Sequence, residues 1–329
     1  MKKYFLSIIG LLFFVSSLDA QVKRVEGVSI IVSNMDRSVK FYSEVLQFKK
    51  ISDVEKQGEY WESLFGVFGL HIREVKMQLG NETIDLIDYL TAGGRTIPED
   101  FKSNDLAFQH IAIVVSDMDS AYKLLRSFGV TQVSTDPQTL PASIPAAAGI
   151  KAFYFQDPDR HNLELIYFPQ GKGQERWQYT KDRIFLGIDH TAIGVSSTPQ
   201  SHQFYSDLLG LDRKGDSWNK GMEQAHLNNI EGASLHITGY RSDDGPGVEF
   251  LEYLFPGPGK KFPADTRSDD LWNWLTKVHV KNAKKLYQQL KRNGQFNFVS
   301  KGLLQIKDET AFIVRDPDGH AVYVVEDNE

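Results

Sequence analysis

Short apolar runs recur along the chain, and each leads into the same sequel. Residues 28–32 read "VSIIV". A Ser-Asn turn follows, and then Val39, Tyr42, Val45 and Leu46 fall at helical spacing. Residues 111–115 read "IAIVV". A Ser-Asp turn follows, and then Ala121, Leu124, Leu125 and Phe128 fall at the same spacing. The pattern predicts a strand, a tight turn and an amphipathic helix each time. Gly129 and Gly294 stand where such helices end, as C-cap glycines. Stretches such as "HIREVKMQL" and "TIDLIDYL" predict further strands.

The sequence also repeats itself. "RSVKFYSEVLQF" (37–48) is similar to "QSHQFYSDLLGL" (200–211), and "FQDPDRHNLELIYF" (155–168) to "VRDPDGHAVYVVED" (314–327). These similarities define two related halves, 22–169 and 183–327. Each half holds two modules, 25–90 with 108–169 and 185–256 with 271–327. The expected fold is α+β, a βαβββ unit four times over. Residues 170–182, polar and glycine-containing, read as the linker between halves. A "DPD" turn precedes the last strand of the second and fourth modules. Asp157, Asp159, Asp316 and Asp318 read as turn formers, and His161 and His320 behind them as solvated or capping residues.

Composition narrows the function. A formal charge of −6 with no basic block argues against nucleic acid as a partner. Residues 1–20 open with "MKK", continue with the apolar "YFLSIIGLLFFV" and end in small residues, the layout of a signal peptide cut after Ala20. The apolar run is short for a membrane span, so the mature chain is expected to be exported, periplasmic or secreted, without stable membrane insertion. With no Cys there is no lipoprotein acylation site, disulfide, thiolate ligand or Cys nucleophile.

One residue stands out against its surroundings. In "IDHTAIGV" (188–195), His190 interrupts an apolar strand. It is either a core histidine satisfied by the backbone or a metal ligand.

The fourfold plan, the "DPDRH" and "DPDGH" turns and the polar residues at strand starts and ends resemble the vicinal oxygen chelate superfamily. That group contains glyoxalase I, extradiol dioxygenases and fosfomycin-resistance enzymes. The resemblance implies that two modules pair into an open, barrel-like cup of strands. The cup binds a divalent metal through the first and last strands of each module. At those positions the second module has His110 and Glu164, and the third has His190 and Glu249. The first has Gly27 and Asp85, and the fourth has Leu275 and Tyr323. Pairing within halves would split the ligands between two poor sites. Pairing the second module with the third unites all four and leaves the outer modules with none, and this is the expected arrangement.

Period-two alternation places His110 on a face with Phe108, Ala112 and Val114, His190 with Ile188, Ala192 and Gly194, and Glu164 with Ile166 and Phe168. A carboxylate on such a face is costly unless paired or metal-bound. Two imidazoles and two carboxylates suit Zn, Ni, Co, Fe or Mn. The metal would act as a Lewis acid on a small oxygenated substrate, stabilising an enediolate-like species. Glu164 or Glu249 would move the proton, as the resemblance implies. The expected activity is a lyase or isomerase. An Fe(II) extradiol-type dioxygenase and a non-catalytic binding protein are the alternatives. A small-molecule substrate is the expected partner, and the chain is expected to be a monomer or a dimer.

Several other residues invite roles. His71, His226 and His236 read as core or surface residues within reach of a cup. Asp88 and Glu252 read as surface charges, and Tyr60, Trp61 and Trp218 as core or a substrate wall. Residues 134–150, rich in Pro and Ala, read as a lid or an inert insertion.

Overall fold

The computed structural model describes residues 21–91, 93–180 and 182–327. The leader read at 1–20 lies outside the described residues. The first module comprises β1 (Val22–Val32), α1 (Met35–Glu44), β2 (Lys49–Gln57), α2 (Glu59–Phe65), β3 (His71–Leu79) and β4 (Glu82–Tyr89). The second comprises β5 (Phe108–Val115), α3 (Met118–Ser127), the short β6 (Thr131–Gln132) and β7 (Gln138–Thr139), β8 (Lys151–Gln156) and β9 (Asn162–Tyr167). The third comprises β10 (Phe185–Gly194), α4 (Thr198–His202) continuing as a π-helical turn (Gln203–Leu208), β11 (Asp212–Lys220), α5 (Met222–Asn228), β12 (Ser234–Arg241) and β13 (Gly247–Phe255). The fourth comprises β14 (Leu275–Val280), α6 (Ala283–Asn293), β15 (Leu304–Ile306), β16 (Glu309–Arg315) and β17 (Ala321–Glu326). The βαβββ plan therefore holds, with an extra helix in the first and third modules.

Among the described residues the strands form two sheets. One runs β15-β16-β17-β14-β1-β4-β3-β2. The other runs β11-β12-β13-β10-β5-β9-β8-β6, with β7 added beside β8. In every module the first strand pairs in parallel with the last, and the helix makes the crossover that a parallel pair requires. Modules then join through antiparallel first strands, β1 with β14 and β5 with β10. The outer modules thus share one sheet and the inner modules share the other.

Local sequence explains the helix starts. Asn34, Asp117 and Asn282 are N-caps whose side chains accept from the backbone N–H three residues on. Carboxylates from the last strands reach the starts of α1, α4 and α6. Asp88 accepts from Met35 N at 3.0 Å and Glu252 from Thr198 N at 3.3 Å. Glu326 accepts from Ala283 N at 2.7 Å. Asp88 and Glu252 are therefore not idle surface charges. They satisfy first-turn donors that a helix leaves open. Behind the strands lies one continuous core that includes Ile30, Tyr42, Ile113, Leu125, Phe250 and Leu290. Phe128, placed in the buried stripe by its spacing, is the C-cap of α3 and 48% exposed.

The histidines behind the DPD turns are buried, which corrects the reading of His161 and His320. The two residues are 1% and 3% exposed. Asp157 Oδ2 lies 2.9 Å from His161 Nδ1 and accepts from Tyr42 OH at 3.2 Å. His161 Nε2 lies 2.8 Å from the Leu271 carbonyl. Both ring nitrogens face pure acceptors, so His161 carries two protons. Burial alone would depress its pKa, but the Asp157 charge prevails and raises it. Asp316 and His320 repeat the contact at 2.9 Å, with Tyr205 OH as the third member. Next to these, Asp159 accepts from Ser33 N and Oγ, and Asp318 from Ser196 N and Oγ. The turns therefore clamp the two modules of each half together, while the sheets join modules across halves.

Candidate metal centre

Strand register places the four candidate ligands. The residue two beyond each histidine stands opposite the glutamate of its own module: Ala112 opposite Glu164, and Ala192 opposite Glu249. Across the β5–β10 joint, His190 stands opposite Ala112 and Ala192 opposite His110. All four side chains consequently converge on one cup. His110 Nε2 is 3.1 Å from Glu164 Oε2. His190 Nε2 is 3.6 Å from Glu164 Oε2 and 3.4 Å from Glu249 Oε2. One ligand atom each from His110, His190 and Glu249 lies within 4.8 Å of the others.

The donor set fits a cation. His110 is 1% exposed, His190 7% and Glu164 4%. Yet neither ring nitrogen of His110, nor Nε2 of His190, has a hydrogen-bond partner among the described residues. Buried polar atoms are rarely left so, because each forfeits its hydration. A shared cation would satisfy Nε2 of His110 and Nε2 of His190. The electrostatics agree. Burial would depress the His190 imidazole, but Glu249, Asp189 and Glu164 push it up to about 9. Burial pushes the Glu249 carboxyl up, against the opposing pull of His190. The cup favours positive charge at its centre.

Sequence reasoning missed what stands behind His190. Asp189 Oδ2 lies 3.0 Å from His190 Nδ1 and 2.7 Å from Arg241 Nη2. Its Oδ1 accepts from Trp177 Nε1 at 2.9 Å and Gln174 Nε2 at 3.2 Å. Burial opposes its charge, but these partners, His190 foremost, hold its pKa well below the usual carboxylate range. A carboxylate only accepts, so His190 Nδ1 carries a proton and Nε2 faces the cup as the nitrogen that could hold a cation. Trp177 and Gln174 belong to the segment read as a linker, which therefore supports the site. Tyr154 was also missed. It stands opposite Glu164, and its ring centroid is 4.8 Å from that of His110. The hairpin turn at 157–161 gave that register in advance, since it pairs Gln156 with Asn162.

A cavity of about 390 Å³ opens on the cluster, with Glu164, His190 and Glu249 in its lining. Residues 134–150 form one wall through Leu140, Ala146, Ala147 and Ile150. Lys172 holds this wall, donating to the Pro145 and Ala146 carbonyls at 2.7 and 3.1 Å. His71 binds Glu55, and His236 binds Asp216 and stacks on Trp218. None of the three histidines considered for the cup is in the cavity lining, nor is Trp218, which is 60% exposed.

Among the described residues the outer sheet contains no matching centre. Register puts Gly27, Asp85, Leu275 and Tyr323 at the four equivalent positions. Phe65, Tyr89, Leu275, Ile313 and Tyr323 fill this cup, with Tyr60 and Trp61 packed against them as core. A Cβ on Gly27, whose φ is +153°, would lie 2.1 Å from the Thr83 carbonyl oxygen. Asp85 is left with Lys76 Nζ at 3.6 Å.

The family model described as Glyoxalase/Bleomycin resistance protein/Dioxygenase superfamily matches residues 24–165 and 187–324. Over 168 residues the chain is 29% identical to a 2-epi-5-epi-valiolone epimerase from Actinomyces sp., covering 49% of this chain and 87% of the epimerase. The structure of glyoxalase I from Zea mays superposes with a TM-score of 0.62 at 16% identity, covering 92% of each chain. Among the described residues no helix is long and apolar enough to cross a membrane.

Proposed function

The chain belongs to the Glyoxalase/Bleomycin resistance protein/Dioxygenase superfamily, and on that premise we propose that it is a divalent-metal-dependent isomerase, an epimerase of a small hydroxylated ketone. The observation that carries this reading is the convergence of two histidines and two glutamates around unpartnered imidazole nitrogens. His110, Glu164, His190 and Glu249 would hold the metal. When bound, the metal supplies Lewis-acid stabilisation to the oxyanion that forms when a carbon next to a carbonyl loses its proton.

The remaining chemistry belongs to the chain. Epimerisation requires a proton to leave one face of a carbon and return to the other. Glu164 and Glu249 come from opposite modules and approach the cluster from opposite strands. One carboxylate takes the proton from carbon, and the carboxylic acid of the other returns one to the far face. Glu249, raised by burial, is the acid in one direction and the base in the reverse. Asp189 keeps His190 oriented throughout. The name of the epimerase relative supports a cyclic hydroxyketone as substrate.

The test is metal analysis of the purified chain together with proton exchange on 2-epi-5-epi-valiolone in D₂O. Stoichiometric Ni, Co, Zn or Mn and wash-in of deuterium next to the carbonyl, both lost in His110→Ala and His190→Ala, are the expected results. Metal-free protein in every preparation would overturn the reading. His110, His190 and Glu249 alone would also serve a two-histidine, one-carboxylate iron site. Bound iron with oxygen uptake on a catechol would favour that dioxygenase reading. Export belongs to the same proposal, through the leader composition of residues 1–20. A mature chain beginning at Gln21 in an envelope fraction is the expected finding.

A further inference from the structure

The cavity above the metal centre has two unlike walls. Leu140, Ala147, Ile150, Ala152 and Leu227 make one side apolar. The other side is the concave face of β13, β12 and β11, and its register gives a grid. Glu249 stands opposite Gly239, and Gly239 opposite Gly215. A Cβ on either glycine would meet nothing within 4 Å. A lane without side chains therefore leads from Glu249 across two strand spacings, about 10 Å. His190, more than nine-tenths buried with Nε2 unpartnered, lines the same cavity at the head of the lane.

The borders of the lane carry polar groups. Arg241 and Lys214 lie on one side. Lys214 is brought into the lining by a bulge in β11 between Arg213 and Gly215. Ser217 and Asn219 lie on the other side, beyond Ile237. Both cations already hold carboxylates, Arg241 with Asp189 at 2.7 Å and Lys214 with Asp212 at 3.1 Å. The lane therefore offers hydrogen bonds of both senses without an uncompensated positive charge. Hydroxyl groups, which donate and accept, match such a surface better than an anion or an alkyl chain does. The apolar wall opposite suits the C–H face of a ring.

The geometry points to a neutral, hydroxyl-rich carbonyl compound as the substrate class, its chelating end at the metal centre and its hydroxyls along the Glu249–Gly239–Gly215 lane. This rests on the metal-centre reading above and adds specificity residues: Gly239, which keeps the lane open, and Lys214 and Ser217, which read the hydroxyls.

Hydroxamates, which chelate a metal through two neighbouring oxygens, are suitable probes. Binding of acetohydroxamate, gluconohydroxamate, hexanohydroxamate and succinic monohydroxamate to the nickel-loaded full chain would be measured by calorimetry. Two or three hydrogen bonds predict a preference of about tenfold for gluconohydroxamate over hexanohydroxamate. Gly239→Val fills the lane without a steric conflict at its Cβ. It should remove that preference while leaving nickel content and acetohydroxamate affinity unchanged. Lys214→Met and Ser217→Ala should each reduce the preference. Equal or tighter binding of hexanohydroxamate, tightest binding of the succinic compound, or a preference that survives Gly239→Val would overturn the lane. Failure of the wild-type chain to take up Ni, Co, Zn or Mn would instead overturn the metal-centre reading, and the lane with it.

Discussion

His190 Nδ1 lies 3.0 Å from Asp189 Oδ2, the side chain of its own neighbour in sequence. Neighbours on a regular strand point to opposite faces. Here β10 slips register between Ile188 and His190, and the bulge brings the two together. Asp189→Asn replaces an acceptor with a group able to donate and so loosens the imidazole. Metal affinity should fall about 10- to 100-fold, the range for such carboxylate partners. Competition with a chelating dye measures it, alongside an unchanged circular dichroism spectrum. Equal affinity in the two proteins would refute the role.

The outer cup should resist conversion into a second centre. Gly27→His must place a Cβ against the Thr83 carbonyl oxygen, between strands that are paired in register. The double variant Gly27→His/Leu275→His should bind no additional metal equivalent. It should also lose at least about 2 kcal/mol of stability to overpacking and backbone strain. A second bound equivalent would contradict this expectation.

Asp85 gives a pH-dependent outcome. Burial, and the nearby Glu74 charge, raise its pKa to about 6. The folded state then holds its proton more tightly than the unfolded state does. Stability is accordingly lost as pH rises from about 4 through 6. Asp85→Asn should stabilise the protein by about 2 kcal/mol at pH 8 and give no such gain at pH 4. Urea titrations at the two pH values decide the matter.

His161 follows the same direction with pH, over a higher range. Its pKa is raised, so its contribution is complete below about pH 6.5 and declines as pH rises through the folded value. His161→Gln should cost about 2–4 kcal/mol at pH 6, because Asp157 and the Leu271 carbonyl lose a buried donor. The gap to wild type should narrow at high pH in thermal melts.

The architecture was legible because it is written repeatedly. Four copies of strand, turn and helix exposed the modules, and the placing of His110, Glu164, His190 and Glu249 in the inner two pointed to the crossed pairing. What stayed hidden depends on departures from regularity. Asp189 was passed over because strand alternation puts the neighbour of His190 on the other face and assumes no bulge. Trp177 sits in a segment whose polar composition suggested only a tether. His161 looked like a solvated or capping residue because its acceptor, the Leu271 carbonyl, lies 110 positions away. Tyr154 was within reach of hairpin counting. The glycine lane needed the register of three strands, and the register needed the Arg213–Gly215 bulge.

The crossed pairing also orders events in time. β5 and β10 belong to consecutive modules, so the inner sheet can be assembled when the third module is complete. β1 pairs with β14, near the far end of the chain. Contacts so distant in sequence are slow to form, and an unpaired strand edge invites association with other chains. The outer sheet is thus expected to close after the inner sheet has assembled, which refolding followed by pulsed hydrogen exchange would check. The first strand to be synthesised waits longest for its partner.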